Sequence, residues 1–249
     1  MNQQEQLQQA HYNRIFHAYE AHYDDACSQR YRERFFFKPM FRGVALGNVE
    51  ALDAMCGGGS ATGYLLTQGA RVTGLDISEA AVELYRRRWP QCRAIRSSVL
   101  SSGFPNNAFG CVAIIGGLHH LHPEVPAALQ EIHRILKPGG ILCFVEPHQG
   151  SLPDRVRRRW YPRDPLFERN ERAIDLEAIK SLFSDRFLFR QEKYGGSIAY
   201  LFVLNSLVLR IPLGLKHWYT PLLLAIEATL SPLLGKQFSC FTLCQWEKR

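Results

Sequence analysis

The run Glu50-Ala-Leu-Asp-Ala-Met-Cys-Gly-Gly-Gly-Ser-Ala-Thr-Gly63 constrains the fold more than any other part of the chain. It reads as a short buried strand that runs straight into a glycine loop and then a helix. Gly57, Gly58 and Gly59 lack a Cβ, so the backbone there can turn tightly and press against a ligand, while Asp53 ends the strand with a carboxylate facing the same crevice. A second apolar strand, Arg71-Val-Thr-Gly-Leu-Asp76, ends in another carboxylate about 20 residues later, where a ribose would present its two hydroxyls. Such a pair predicts an α/β fold with its ligand beyond the carboxyl ends of the strands.

The middle of the chain continues the alternation. Strands are predicted at Glu50 to Asp53, Arg71 to Asp76, Arg93 to Arg96, Cys111 to Ile115 and Ile141 to Glu146. Ser78 suits the N-cap of a helix whose Val82, Tyr85 and Trp89 share a face. Val125, Leu129, Ile132 and Leu136 share the face of another, which stops at Lys137-Pro-Gly-Gly140. Before these elements, Phe16, Tyr19 and Tyr23 recur at helical spacing, so residues 1–42 read as a helical cap on a main domain over 43–249. After them, a helix is predicted over Asp175 to Phe183 and a strand over Arg186 to Gln191. An apolar helical insertion at 197–235 then precedes the last strand, and each of its two apolar stretches is shorter than the ~20 residues that span a bilayer. That insertion reads as a helical hairpin that packs on the domain as ordinary core, forms a lid or the face of a homodimer, or dips into a membrane interface.

With 249 residues, 46% of them hydrophobic, the chain can bury one full core. Its formal net charge of +7 is concentrated at Arg86-Arg87-Arg88 and from Arg155 to Arg163. Such runs form a solvated face or meet an anionic membrane surface or acceptor; without interleaved aromatics, nucleic acid is not expected. The seven cysteines, an odd number mostly inside apolar runs, argue for reduced thiols and a cytoplasmic setting, with peripheral membrane contact left open. Cys240 and Cys244 fall in a strand-like segment, so no metal site is expected from them. The first residues show neither the basic start nor the apolar core of a secretory signal.

The order of four motifs carries a resemblance: Asp53 to Gly59; Asp76; Phe104-Pro-Asn-Asn-Ala-Phe109; and Leu118-His-His-Leu121 followed by Glu131-Ile-His-Arg-Ile-Leu-Lys-Pro-Gly-Gly140. From about Val49 to Glu146 the chain resembles the class I S-adenosylmethionine-dependent methyltransferases, in the branch that includes quinone-biosynthesis and other small-molecule enzymes. The resemblance implies a doubly wound, mostly parallel seven-stranded sheet with helices on both faces. It implies that Asp53, Cys56, Gly57 and Gly59 hold the amino-acid end of S-adenosyl-L-methionine, that Asp76 takes the ribose and that Ile77 packs on adenine. Ser98 stands where the family has an aspartate for the adenine amino group, a bond otherwise taken by the backbone of Val99. Met55 occupies the loop's usual first glycine, where the backbone is then expected to avoid positive φ. Gly110 replaces a common aspartate and reads as structural.

A sulfonium carries its own activation, so the protein need only align acceptor and methyl, exclude water and remove a proton where the acceptor requires it. His119 and His120, after the fourth strand, are the first candidates for that base, and Glu146 and His148, at the end of the fifth, the second. Tyr19 and Tyr23 could close the site from the cap; plain packing is the alternative. The large apolar insertion points to a hydrophobic small-molecule acceptor, quinone-like, polyketide-like or lipid-linked, methylated on oxygen or carbon. Two other readings stand beside it. A non-catalytic scaffold or sensor would use the same cofactor seat. A nicotinamide-dependent oxidoreductase would share Gly57, Gly59 and Asp76, but the chain has no Tyr-x-x-x-Lys pair.

Overall fold

The structure is a computed structural model that describes residues 20–164, 167 and 171–249. Its seven strands are β1 Glu50–Ala54, β2 Arg71–Asp76, β3 Arg93–Arg96, β4 Phe109–Ile115, β5 Leu136–Glu146, β6 Phe187–Gly195 and β7 Phe241–Lys248. They form one sheet in the order β3-β2-β1-β4-β5-β7-β6. The first five are parallel, and β7 runs antiparallel between β5 and β6. Every strand predicted from the sequence is present, β4 and β5 starting a few residues earlier than expected. The strand order reverses between β1 and β4, and at such a switch point the loops leave in opposite directions and open a crevice.

Strand alternation divides the core between the two faces. Leu52, Leu75, Val112, Ile114 and Phe144 point to one side, where they meet Ala128, Leu129, Ile132 and Ile135 of helix α4 and Ile179 and Phe183 of α6. Ranges in chain order are α1 Ala26–Arg32, α2 Thr62–Thr67, α3 Glu79–Arg88, α4 Val125–Ile135, α5 Leu152–Trp160, α6 Leu176–Phe183 and α7 Leu213–Leu230. The other face carries small residues, Ala51, Cys111, Ala113 and Cys143, which leave room for Tyr31, Phe36 and Phe37 from the cap. Gly110 sits where a Cβ would lie 2.7 Å from Val49 Cγ1, so the strand start excludes an aspartate at this position on steric grounds.

Cap and insertion are bolted together by buried polar groups. The Glu227 carboxylate of α7, fully buried, accepts from the Ala199 and Tyr200 N–H groups (2.7 and 3.2 Å), from Ser197 and from the Tyr31 hydroxyl (2.6 Å). It thereby caps a short helical segment whose π-helical part is Tyr200–Leu204. Lys216, 1% exposed, donates to the His22 carbonyl, the Ser28 hydroxyl and the Asp25 carboxylate. The predicted hairpin therefore consists of a short segment and one long helix, and it packs on the cap through α1. Tyr19 and Phe16, read as part of the cap, lie outside the described residues.

Replacing Glu227 with Ala strands several buried donors at once, a loss of about 3–5 kcal/mol. We expect Glu227→Ala to lower the melting temperature by about 10 °C in thermal denaturation. A shift under about 2 °C would show that the bolts carry no stability.

Candidate active site

The site grows from the loops at the β1/β4 switch point. After Ala54 the chain must turn at once, and it does so with Met55 at φ +55°, Gly57 at +53° and Gly59 at +98°. The expectation that Met55 would avoid positive φ is corrected here. An L side chain in that region costs about 1–2 kcal/mol, and Met55 is held there by packing, because a Cβ on Gly117 would come within 2.8 Å of its Sδ. The β1 loop and the β4 loop thus touch, with Gly117 permitting the approach. Gly59 is required for a different reason. A Cβ there would lie 2.2 Å from Trp89 Nε1, whose indole donates to the Gly58 carbonyl at 3.0 Å. Trp89, read from sequence as one member of a helix face, is the back wall of the glycine loop.

Asp53 is buried behind this loop. Its Oδ2 accepts from Ala61 N–H (3.1 Å) and from the Thr62 hydroxyl (2.8 Å), which also shares a hydrogen bond with the Tyr85 hydroxyl (2.9 Å). Its Oδ1 is buried with no hydrogen-bond partner. Desolvation, more than any other cause, pushes the Asp53 pKa up to about 7, and the charge of Asp76 adds to the rise. The two aspartates therefore share one electrostatic environment. Asp76 accepts from Gly57 N–H and Ser78 N–H, both at 2.9 Å, and burial raises its pKa as well. Cys56 is buried, its thiol pKa pushed well up by the same desolvation and by both carboxylates, which makes it an inert thiol. Ile77 follows Asp76 half-buried, and Val99 is buried in the core. The Ser98 hydroxyl accepts from Leu100 N–H at 3.1 Å, so it shapes its own turn. From the cap, Glu20 reaches the glycine loop, accepting from Gly58 N–H at 3.4 Å and pairing with Arg88.

On the other side of the switch point, the chain after β4 passes over the end of β5. Glu146, fully buried there, accepts from Gly117 N–H (2.8 Å), Leu118 N–H (2.7 Å) and His119 N–H (3.3 Å). Its second oxygen lies 2.8 Å from His119 Nδ1. With Glu146 ionised its oxygens can only accept, and in that state Nδ1 carries the hydrogen and Nε2 keeps its lone pair. Burial holds the His119 pKa well below the ordinary value, with neighbouring His120 adding to the effect, so the ring is neutral. Burial raises Glu146 itself to about 7 against the pull of its backbone donors.

His119, His120, Glu146 and Tyr23 line one cavity of about 110 Å³ beneath the insertion. Its other walls are largely aromatic, from Phe36, Tyr161, Phe167, Tyr200 and Phe241. Arg32, Arg157 and Glu171 complete the polar lining; Arg157 belongs to the basic cluster read from the sequence, and Arg32 and Glu171 were not singled out there. Arg32 follows the aromatic cap pattern, and Glu171 becomes a neighbour of the histidines only through the fold. His120 stacks on His119 with ring centroids 3.9 Å apart and pairs with Glu171 at 3.4 Å. The donor atoms of His119, His120 and Glu171 lie within 4.8 Å of one another, ligands of a kind that divalent metals accept. Tyr23 donates from its hydroxyl to Asn205 Oδ1 at 2.9 Å, joining cap to insertion at the cavity edge. His148 is not part of this wall. It is buried with Nε2 3.0 Å from the Ser239 carbonyl and its ring edge-on to Tyr194, so it ties β5 to the segment before β7. His148, read from sequence as a second candidate for the base and as a possible substrate contact, is absent from this cavity lining and joins two parts of the fold instead.

The chemistry of this donor set suits S-adenosyl-L-methionine: a buried, unpartnered carboxylate oxygen for a cation, a glycine turn for close approach, and a second carboxylate at the next strand end. Residues 52–144 match the family model for a methyltransferase domain. Demethylmenaquinone methyltransferase of Staphylococcus aureus is 33% identical over 158 residues, covering 61% of this chain and 59% of that protein. The chain spans about half the length of the curated relatives it matches. Among solved structures, an S-adenosylmethionine-dependent methyltransferase of Thermotoga maritima is similar with a TM-score of 0.64 at 16% identity, over 96% of this chain and 99% of that one. A Burkholderia thailandensis 1,6-didemethyltoxoflavin-N1-methyltransferase with bound S-adenosylhomocysteine is similar with a TM-score of 0.58 at 16% identity, over 96% and 86% of the two chains. Sheet order and matched domain together place a methyltransferase domain over residues 52–144, in a chain whose fold is similar to that of S-adenosylmethionine-dependent methyltransferases.

Proposed function

We propose that this chain transfers a methyl group from S-adenosyl-L-methionine to an oxygen or carbon of a hydrophobic, quinol-like small molecule. The observation that carries the reading is the His119–Glu146 pair on the wall of an aromatic cavity at the carboxyl ends of β4 and β5. Asp53 and the turn at Gly57 and Gly59 would hold the cofactor's amino-acid end, and Asp76 its ribose. When bound, the cofactor supplies an electrophilic methyl on a sulfonium. His119 Nε2 then takes the proton of the acceptor hydroxyl or activated carbon, while Glu146 keeps the ring in the required tautomer and stabilises the imidazolium. Glu146 acts through His119 and is a positioning residue. The aromatic walls exclude water and orient a planar acceptor. Support for a quinone-like acceptor comes from the demethylmenaquinone methyltransferases, 33% identical over 158 residues in one case.

The exposed side chains of the insertion favour a second element of the proposal, peripheral contact with an anionic membrane. Leu213, Leu215, Trp218, Leu222 and Leu233 are exposed, Trp218 to 79%, and Arg155, Arg158 and Arg159 lie on α5. No helix among the described residues is long and apolar enough to cross a membrane, so such contact would be interfacial. In flotation with anionic vesicles, the protein should float at low salt, and Trp218→Ser with Leu222→Ser should remain in solution. A pair variant that floats as well as the parent would leave the homodimer face as the reading of this surface.

Removing the base should cost at least about 100-fold in kcat, so His119→Ala is expected to lose turnover while binding S-adenosylhomocysteine unchanged. Glu146→Gln should lower kcat and move the acid limb of the pH–rate profile, which a purely structural role would not. Full turnover by His119→Ala would reject the assignment.

A pKa of about 7 at Asp53 means the empty fold prefers the protonated acid, and stability from this group falls as pH rises from the usual carboxylate range toward 7. A bound cation needs the ionised form, so cofactor affinity should weaken about tenfold per pH unit below 7 and level off above it. Calorimetry across pH 5.5–8 would read this slope, and Asp53→Asn should flatten it. A slope that persists in the asparagine variant assigns it to another group.

A further inference from the structure

Arg32, at the end of α1, lines the acceptor cavity and is only 5% exposed. Its Nε is buried without a hydrogen-bond partner. No carboxylate or carbonyl among the described residues hydrogen-bonds its guanidinium; it lies over the Tyr23 ring, 5.8 Å to the centroid, and the Glu20 carboxylate feels its charge without bonding it. Neighbouring cations are all matched. Arg157 pairs with Asp154 at 3.1 Å, Arg210 with Asp164 at 3.0 Å, and Lys216 with Asp25. The carboxylates within reach are already committed. Glu146 serves the β4 loop and His119, Glu171 pairs with His120, and Glu20 is held by Arg88 and Gly58 N–H.

A guanidinium stays charged at any pH the protein meets, and removing one from water without a counter-charge is costly. A cavity wall retains such a group when a ligand brings the missing anion. The planar fork matches a carboxylate in two parallel hydrogen bonds better than it matches a neutral oxygen. Aromatic walls around it require that this anion be attached to an apolar, ring-sized body.

We propose that Arg32 is the acceptor-recognition residue and that the acceptor is an aromatic carboxylate, its acid group on Arg32 and its methylated position at His119. The inference rests on the proposed methyltransferase reading of the same cavity. It narrows the acceptor from any hydrophobic small molecule to a carboxylated one, and it distinguishes this site from one built for a neutral polyprenyl quinol.

The test uses the full chain saturated with S-adenosylhomocysteine and titrated with 2-naphthoate and with methyl 2-naphthoate. The acid should bind at least tenfold more tightly than its ester. Arg32→Met should lose that preference by weakening the acid alone, and Arg32→Lys should recover part of it. S-adenosylhomocysteine affinity, measured on each variant, reports that the variants are folded. An acid that binds no better than its ester, or fails to bind, or an Arg32→Met protein that keeps the preference, overturns the proposal. Failure to bind S-adenosylhomocysteine would instead overturn the methyltransferase reading beneath it.

Discussion

The carboxylate of Glu146, withdrawn completely from water at the end of β5, takes three consecutive backbone N–H groups of the β4 loop and one ring nitrogen of His119. Each of those N–H groups would otherwise be left in a low-dielectric interior, where an unmet donor costs about 1–3 kcal/mol. One acid therefore fixes the path of the loop that forms the cavity wall and the tautomer of the residue that faces the acceptor. The geometry follows from parallel pairing of β4 with β5, which brings Ile115 level with Val145 and sets Glu146 beneath the departing loop. A similar economy holds on the β1 side. Trp89 fills the space behind the glycine loop, and Met55 accepts a left-handed backbone to fill the space in front of Gly117.

The roof of the cavity has a different origin. Its residues come from the cap and from the insertion, segments separated by more than a hundred positions in the chain, and they are joined by hydrogen bonds such as Tyr23 to Asn205 and Tyr31 to Glu227. Buried polar contacts of this kind specify one register, since an apolar interface of the same area could slide. In the proposed reading the sheet would supply the cofactor seat and the bolted layer above it the acceptor's surroundings. Chemistry common to a fold can then be retained while the acceptor changes.

Legibility in the sequence divides along the same line. The positions of Asp53, Asp76 and the glycine turn were readable because each lies at or just beyond the end of a strand, where local pattern fixes the path of the chain. The order of strands was readable for the same reason, whereas the helix expected to run to Lys137 ends at Ile135, and Leu136 to Gly140 belongs to β5. His119 and His120 were readable as a pair beyond β4, but the division of labour between them depends on Glu146 and Glu171, which reach them only through tertiary packing. His148 was misassigned because proximity to a strand end does not determine the direction of a side chain. Met55 was misjudged because propensity disfavours positive φ, and a contact with Gly117, remote in sequence, overrode it. Arg32 gave no signal at all, since a buried arginine and a surface one look alike until the partners are counted.

Counting them reveals an asymmetry with chemical meaning. Among the described residues, one end of the proposed site holds a carboxylate oxygen of Asp53 without a hydrogen bond, and the other the buried Nε of Arg32 without one. Each is costly in the empty protein, and each is relieved by a ligand of opposite sign. A cationic donor and an anionic acceptor would thus enter a site whose own charges are displaced toward the correct ends. Their mutual attraction strengthens as the aromatic walls exclude water, because the local dielectric falls. Methyl transfer then discharges the sulfonium, so the attraction that drew the two ligands together is lost from the products.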